Sequence, residues 1–220
     1  MSPRRTALFL TLALCAAPAF AAEDISKVNG SISAESGQTY GDLETVNGSI
    51  RIAGGATTND AGTVNGSISV GDKASTGSLE TVNGSIKLER NVTVDGNLST
   101  VNGSIFVDRG GKVKNGVETV NGAIGLVATQ LGGGIETVRG NVTVGVDSHV
   151  KGGLRVQKST GMFNVDSKKP PRIIIGPNAV VEGALVFERE VSLYVHRTAK
   201  TGPITGATAK TFDTDTAPQD

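Results

Sequence analysis

The feature that most constrains this 220-residue chain is a pentapeptide that returns almost unchanged. Five copies read Val-Asn-Gly-Ser-Ile, and two later copies read Val-Asn-Gly-Ala-Ile and Val-Arg-Gly-Asn-Val. The copies begin at Val28, Val46, Val64, Val82, Val101, Val120 and Val138. They start 18, 18, 18, 19, 19 and 18 residues apart. So short and regular a period predicts a solenoid in which each repeat forms one rung.

Composition supports a stack of thin rungs rather than a bulky core. The chain has 30 glycines but only six Phe, two Tyr and no Trp. A globular enzyme of this length needs larger side chains in its interior. A solenoid does not, because each rung buries small aliphatic side chains against the rungs on either side.

Residues 79–97, LETVNGSIKLERNVTVDGN, illustrate one rung. Three runs of strand-forming residues are separated by breaks at Asn83-Gly84, at residues 89–91 and at the end of the segment. This pattern predicts an all-β fold, a single-stranded parallel β-helix of roughly triangular section with 18–19 residues per rung. We expect it to be right-handed, as most parallel crossovers are.

The strand after each Asn-Gly pair has apolar residues two positions apart, which share one face of a strand. These pairs are predicted to point inward and to stack in columns. They are Ile50/Ile52, Ile68/Val70, Ile86/Leu88, Ile105/Val107, Ile124/Leu126 and Val142/Val144.

The strand before each Asn-Gly pair is less regular. Its glutamates, such as Glu80, are expected to face water. Strict alternation would then place Thr81 inward and Val82 outward, which is unfavourable for a valine. We therefore predict that the Asn-Gly corner turns Val46 and its equivalents toward the core. An alternative is an outward threonine array that binds ice or a sugar polymer.

The corner asparagines are predicted to stack and to hydrogen-bond from rung to rung through their amides. They are Asn29, Asn47, Asn65, Asn83, Asn102 and Asn121. Asparagine tolerates a left-handed backbone and glycine follows without steric strain, so both suit a sharp bend. We interpret this column as a structural ladder that sets the register.

Beyond the repeats the pattern changes. The solenoid domain is predicted to span residues 22–206, with regular repeats at about 25–156 and irregular rungs and a cap at 157–206. One long strand is expected to cover the last open edge, with five apolar residues on one face: Leu185, Phe187, Val191, Leu193 and Val195. Residues 207–220 have no apolar pattern and are predicted to be disordered.

Residues 1–21 resemble a secretory signal peptide, with Arg4 and Arg5 before an apolar stretch and a cleavage site ending at Ala21. Modification of Cys15 by lipid and twin-arginine export are less favoured alternatives, because Leu14 precedes the cysteine and paired arginines are common in such segments. The mature chain is expected to be periplasmic, surface-located or secreted, with no transmembrane segment.

Without Arg4 and Arg5 the chain carries 19 basic and 21 acidic residues. Such a balance does not favour nucleic acid as a partner. We expect envelope polysaccharide or a surface protein instead, and self-association is also open because the first rung, around Val28, has no evident cap.

Catalytic chemistry is hard to find in this sequence. The two histidines, His149 and His196, are far apart in the chain and are expected to be surface residues, so neither a metal site nor another cofactor is predicted. An enzymatic alternative is a carbohydrate-active enzyme using carboxylates near the break in the repeats, namely Asp147, Asp166 and Glu182.

The repeated Glu-Thr-Val-Asn-Gly-Ser-Ile, with an aliphatic residue two positions later, resembles a bacterial family of proposed adhesins built from β-strand repeats. The resemblance covers roughly residues 25–156. It implies an exported β-solenoid, in a family whose biochemical role is mostly unassigned. Residues 173–183, IIIGPNAVVEG, are similar to rungs of the bactofilins, a polymer-forming cytoskeletal family, although the signal peptide counts against that assignment. Neither resemblance implies catalytic residues.

These observations predict an exported, non-enzymatic β-solenoid that serves as a structural or adhesive binding module of the cell envelope. The alternatives are the carbohydrate-active enzyme and a self-assembling scaffold.

Overall fold

The structure, a computed structural model, describes residues 22–158 and 169–218. The predicted signal segment and its cleavage site at Ala21 lie outside the described residues. Throughout the part that is described, the chain is built from short strands and turns without a helix. Accordingly, those residues include no helix with the length and hydropathy needed to cross a membrane.

The strands form three parallel sheets, here named A, B and C, and the chain visits them in that order in each of about nine turns. The predicted β-solenoid is therefore confirmed. Neighbouring strands in a sheet come from successive rungs, so Leu98 pairs with Leu79 on one side and Val117 on the other. Three sheets around one axis give each rung three sides.

Sheet A contains the strand that precedes each Asn-Gly corner. Its ten strands among the described residues are Glu23–Asn29, Tyr40–Asn47, Ala61–Asn65, Leu79–Asn83, Leu98–Asn102, Val117–Asn121, Ile135–Thr137, Leu154–Val156, Leu185–Phe187 and Ile204–Thr205.

Sheet B contains the strand that follows the corner. Its ten strands among the described residues are Ile32–Ala34, Ile50–Ile52, Ile68–Val70, Ile86–Leu88, Ile105–Val107, Ile124–Leu126, Val142–Val144, Arg172–Ile175, Ser192–His196 and Lys210–Phe212.

Sheet C is the narrowest side, because its strands have two residues each. They are Ser75–Thr76, Thr93–Val94, Lys112–Val113, Gln130–Leu131, His149–Val150, Val180–Val181 and Lys200–Thr201. Single parallel bridges from Thr39 to Thr57 and from Thr57 to Ser75 extend this side to the first rungs.

The core is a set of aliphatic columns. Ile86 and Leu88 of sheet B are fully buried, and so are Leu79 of sheet A and Val94 of sheet C. The predicted inward pairs of sheet B all lie in this core. Each such side chain contributes roughly 1.5–3 kcal/mol of burial. Because every rung adds the same few side chains, the core grows with the stack without needing aromatic residues.

A left-handed corner joins sheet B to sheet C. One residue in each of eight successive rungs there has a positive φ, a conformation that glycine and asparagine adopt with least strain. These residues are Gly37, Gly55, Lys73, Asn91, Gly110, Ala128, Asp147 and Asn178.

The predicted capping strand needs correction. Leu185 and Phe187 lie in sheet A, Leu193 and Val195 lie in sheet B, and Val191 lies at the corner between them. Residues 185–196 are therefore two sides of one rung. The apolar residues keep even spacings across this corner, with only Arg189 interrupting them, which is why the sequence suggested a single strand.

The predicted disorder of residues 207–220 is also corrected within the described part. Lys210–Phe212 is a strand that pairs with Ser192–His196. Phe212 is 6% exposed, and its ring packs edge-on against His196 with centroids 5.0 Å apart. The chain thus adds a further rung beyond the residues that were expected to form the cap.

Candidate functional site

The Asn-Gly corner carries the predicted amide ladder. In each of five steps the Nδ2 of one asparagine donates to the Oδ1 of the asparagine one rung earlier, at 2.9–3.0 Å. The six predicted residues take part: Asn29, Asn47, Asn65, Asn83, Asn102 and Asn121. Each inner amide bonds in both directions, so this column holds the rungs in register rather than offering free groups to a ligand.

The corner positions require glycine because neighbouring rungs approach closely there, more than because the backbone is left-handed. Of the six glycines that directly follow the ladder asparagines, only Gly30 and Gly122 have a positive φ. A Cβ at Gly84 would overlap the carbonyl oxygen of Gly66, and the same overlap recurs at Gly48, Gly66 and Gly103. The expectation that the bend requires left-handed residues is therefore wrong for this corner.

The threonine before each corner points inward and the valine points outward. Thr81 is 4% exposed whereas Val82 is 39% exposed. The predicted inward turn of Val46 is wrong, since its side chain is 40% exposed. The hydroxyls of Thr45, Thr63, Thr81, Thr100 and Thr119 donate to the carbonyl of the corner glycine one rung earlier, at 2.8–3.1 Å. This bond satisfies the hydroxyl of a threonine in the core. Because these threonines point inward, they do not form the outward array that was the alternative.

The outer face of sheet A is repetitive. Six exposed valines form a stripe along the axis, namely Val28, Val46, Val64, Val82, Val101 and Val120. A column of exposed Glu44, Glu80, Glu118 and Glu136 runs beside it, interrupted by Gly62 and Ser99. Between the columns lies a shallow groove of about 430 Å³ over the first rungs. This face can contact an extended ligand, and in its later rungs Ser99 donates to Glu118 at 3.0 Å and Gln157 donates to Glu136 at 2.8 Å.

The outer face of sheet B is mixed. Phe106 is 37% exposed and lies beside Gly125, with Lys87 on the other side. Lys87 is paired with Glu89 at 2.7 Å, and this carboxylate raises the pKa of the lysine. Its charge is therefore already matched within the protein.

The outer face of sheet C breaks the repeat. Its first four rungs present the hydroxyl residues Thr39, Thr57, Ser75 and Thr93 at one register position. The next rungs present Lys112, Gln130 and His149 there. Two residues further along the same face lie Lys114, Gly132 and Lys151, so cations gather on this side of the solenoid.

Of the residues named for catalysis, the two that are described have different partners. Asp147 lies at the left-handed corner, where its Oδ1 accepts from Asn178 Nδ2 at 3.1 Å. Glu182 follows a strand of sheet C, and its Oε1 lies 2.6 Å from His149 Nε2. Asp166 lies outside the described residues. Across 22–158 and 169–218, no group of three or more His, Cys, Asp or Glu side chains could hold a metal ion.

The two histidines differ from the expectation in one case. His149 is partly exposed on sheet C, as predicted. His196 is 7% exposed, packs on Phe212, and has its Nδ1 2.8 Å from Thr198 Oγ1. It therefore belongs to the packing of the last rungs.

Comparison with family models, with curated proteins and with solved structures finds no match to this chain. What the molecule does must therefore be argued from its own surfaces.

Proposed function

We propose that this protein is an exported, non-enzymatic β-solenoid that serves as a structural or adhesive binding module of the cell envelope. The observation that carries this proposal is the outer face of sheet A. The valine stripe offers the same apolar contact in six successive rungs, with the interrupted glutamate column beside it. Such a surface suits a long partner that is bound at many equivalent points, whereas catalysis requires a singular set of groups.

Two sequence features support the same proposal. Residues 1–21 resemble a secretory signal, and the repeat motif resembles a family of proposed adhesins. The partners that fit are an envelope polysaccharide or a surface protein.

The test has two parts. Fractionation with N-terminal sequencing should find the mature chain outside the cytoplasm, beginning at Ala22. Immobilised protein should retain peptidoglycan, envelope polysaccharide or a surface protein, without turning over any of them. A measured turnover together with no retained partner would reject the proposal.

A self-assembling scaffold is a second candidate, favoured by the first rung. Within residues 22–158 and 169–218, the strand Glu23–Asn29 pairs on one side only, which leaves the backbone groups of its other edge without a strand partner there. Val28 in this strand is 67% exposed. Analytical ultracentrifugation should then show oligomers that dissociate on dilution, and a monomer at every concentration would exclude this candidate.

A further inference from the structure

The basic residues of sheet C form two short rows on either side of a neutral rung. Lys112 and Lys114 lie on one rung, and His149 and Lys151 lie two rungs further along. The rung between them presents Gln130 and Gly132. The register is continuous, since Gly132 N donates to Val113 O at 2.8 Å and Lys151 N donates to Leu131 O at 2.9 Å.

This arrangement has defined dimensions. Residues two apart on a strand are about 7 Å apart, and strands two rungs apart are about 10 Å apart. The four side chains therefore mark the corners of a rectangle. The middle of this rectangle is a hollow of about 300 Å³, because Gly132 has no side chain.

The three lysines are available for a ligand. Lys112, Lys114 and Lys151 are exposed, and within 22–158 and 169–218 they have neither a hydrogen bond nor an ion pair from their side chains. Lys87 on sheet B, by contrast, is held by Glu89. Charges without an internal partner lose nothing within the protein when they bind an anion.

Two carboxylates limit the direction in which an anion can lie. Asp95 is one rung before Lys114, and Glu182 is one rung after Lys151. The Oε1 of Glu182 lies 2.6 Å from the Nε2 of His149, so this carboxylate already has a partner. An anionic chain that ran along the solenoid axis would meet both carboxylates. A chain lying parallel to the strands, over Gln130 and Gly132, would pass between Lys112 and Lys114 on one side and Lys151 on the other, and would meet Asp95 and Glu182 only at the edges of the hollow.

We propose that this surface, the sheet C hollow, binds a linear acidic polysaccharide that lies across the solenoid axis. Its anionic groups sit between Lys112 and Lys114 on one side and Lys151 on the other. Its neutral ring atoms lie over Gly132 and receive hydrogen bonds from Gln130. The assignment rests on the proposed function in one respect, namely that an exported chain meets glycans. Single-stranded nucleic acid fits less well, because the described part of this face has no Phe, Tyr or Trp on which bases stack.

The first experiment measures binding of polygalacturonate, dextran sulfate and neutral dextran to the full chain by biolayer interferometry at several salt concentrations. The two acidic polymers should bind, with affinity falling as salt rises, and neutral dextran should not. Comparison of polygalacturonate with dextran sulfate decides whether carboxylate or sulfate is preferred. The variant K112Q/K114Q/K151Q should lose roughly tenfold or more in affinity and should show a weaker salt dependence.

Matched controls separate this site from a general effect of net charge. R51Q/K73Q/K87Q removes three cations elsewhere and should keep its affinity within about twofold. Gln130→Glu places a like charge in the hollow and should weaken binding about tenfold, whereas Asn59→Asp on the same face should not. Circular dichroism should show all four variants folded, since the substituted side chains lie on the surface.

Three results would overturn the assignment. They are unchanged affinity in K112Q/K114Q/K151Q, an equal loss in the control triple variant, and tighter lysine-dependent binding of single-stranded DNA than of either polysaccharide. The proposed function can fail separately. A chain that binds polygalacturonate through the three lysines but stays unprocessed in the cytoplasm would keep the site and lose the envelope role.

Discussion

The two corners at the ends of each sheet B strand turn the chain in different ways. The Asn-Gly corner keeps the same two residues in six successive rungs. The left-handed corner uses five residue types over eight rungs: glycine, lysine, asparagine, alanine and aspartate. At the first corner the rungs contact one another, through the amide ladder and through glycines packed under carbonyls. At the second, backbone hydrogen bonds such as that from Gly110 N to Ala128 O, at 2.9 Å, join the rungs, and these bonds do not require one particular side chain. Strict repetition thus marks positions where a residue must fit its copy in the next rung.

The largest effect on this difference between the two corners is expected from a substitution at Gly84. Gly84→Ala would push a methyl group into the carbonyl of Gly66, so the stacked rungs would have to separate locally. We expect a loss of about 3 kcal/mol or more in unfolding free energy, measured by denaturant titration. Gly62→Ala is the matched control, because its Cβ would meet nothing within 4 Å. An equal loss in both variants would contradict the role of close approach.

The hydrogen bond of the core threonine is expected to make the next largest contribution to the free energy of unfolding. Thr81→Val keeps the shape but removes the hydroxyl that donates to Gly66 O at 2.8 Å. The carbonyl loses a partner in a partly buried place, so we expect a loss of about 1–2 kcal/mol in the free energy of thermal or chemical unfolding. Val82→Thr, at an exposed position, should change stability by less than about 0.5 kcal/mol. A stabilised T81V variant would show that valine is the better core residue here.

The amide ladder should contribute less, because it lies near solvent. Asn83→Ala removes the bonds to Asn65 and to Asn102, each 3.0 Å long. We expect about 1 kcal/mol of destabilisation, seen as an earlier denaturant midpoint. Asn29→Ala, at the end of the ladder, breaks only one bond and should cost about half as much. Equal effects at both positions would mean that the ladder bonds do not determine the loss.

At the left-handed corner, a substitution is expected to raise the stability of the protein rather than lower it. Ala128 has a φ of 44° and no side chain that can compensate for the strain. Ala128→Gly should therefore raise stability by about 0.5–1 kcal/mol, measured as an increase in melting temperature. Asn91→Gly should be close to neutral, since asparagine already tolerates this conformation. Destabilisation by A128G would remove the distinction between the two corners.

Much of the rung could be predicted from the sequence because its signals are local. The spacing of Ile86 and Leu88 places both on one face of a short strand, and they are fully buried. The amide ladder followed from six asparagines in one register. Other features lay beyond local signals. Alternation alone predicted that Thr81 points inward, but the hydrophobicity of Val82 favoured the opposite arrangement. The group that decides which side chain enters the core, the carbonyl of Gly66, lies one rung away.

The candidate site was missed for a related reason. Lys112, Lys114 and Lys151 are ordinary surface lysines in a linear reading of the chain. Aligning the rungs would have revealed them, because Lys112 replaces the hydroxyl residues and Lys114 replaces Asp95 at the same positions of earlier rungs. The last rungs were misread because residues two apart alternate alike in one long strand and in two short strands around a corner.

The sequence by itself determined the period of the rung, the three-sided β-solenoid and the aliphatic columns, since these depend on spacing within a few residues. Only the tertiary structure decided that threonine rather than valine enters the core, that the chain adds a rung after residue 196, and that three lysines meet around a hollow. Each of these depends on contacts between residues from different rungs, and such contacts exist only once the rungs are stacked.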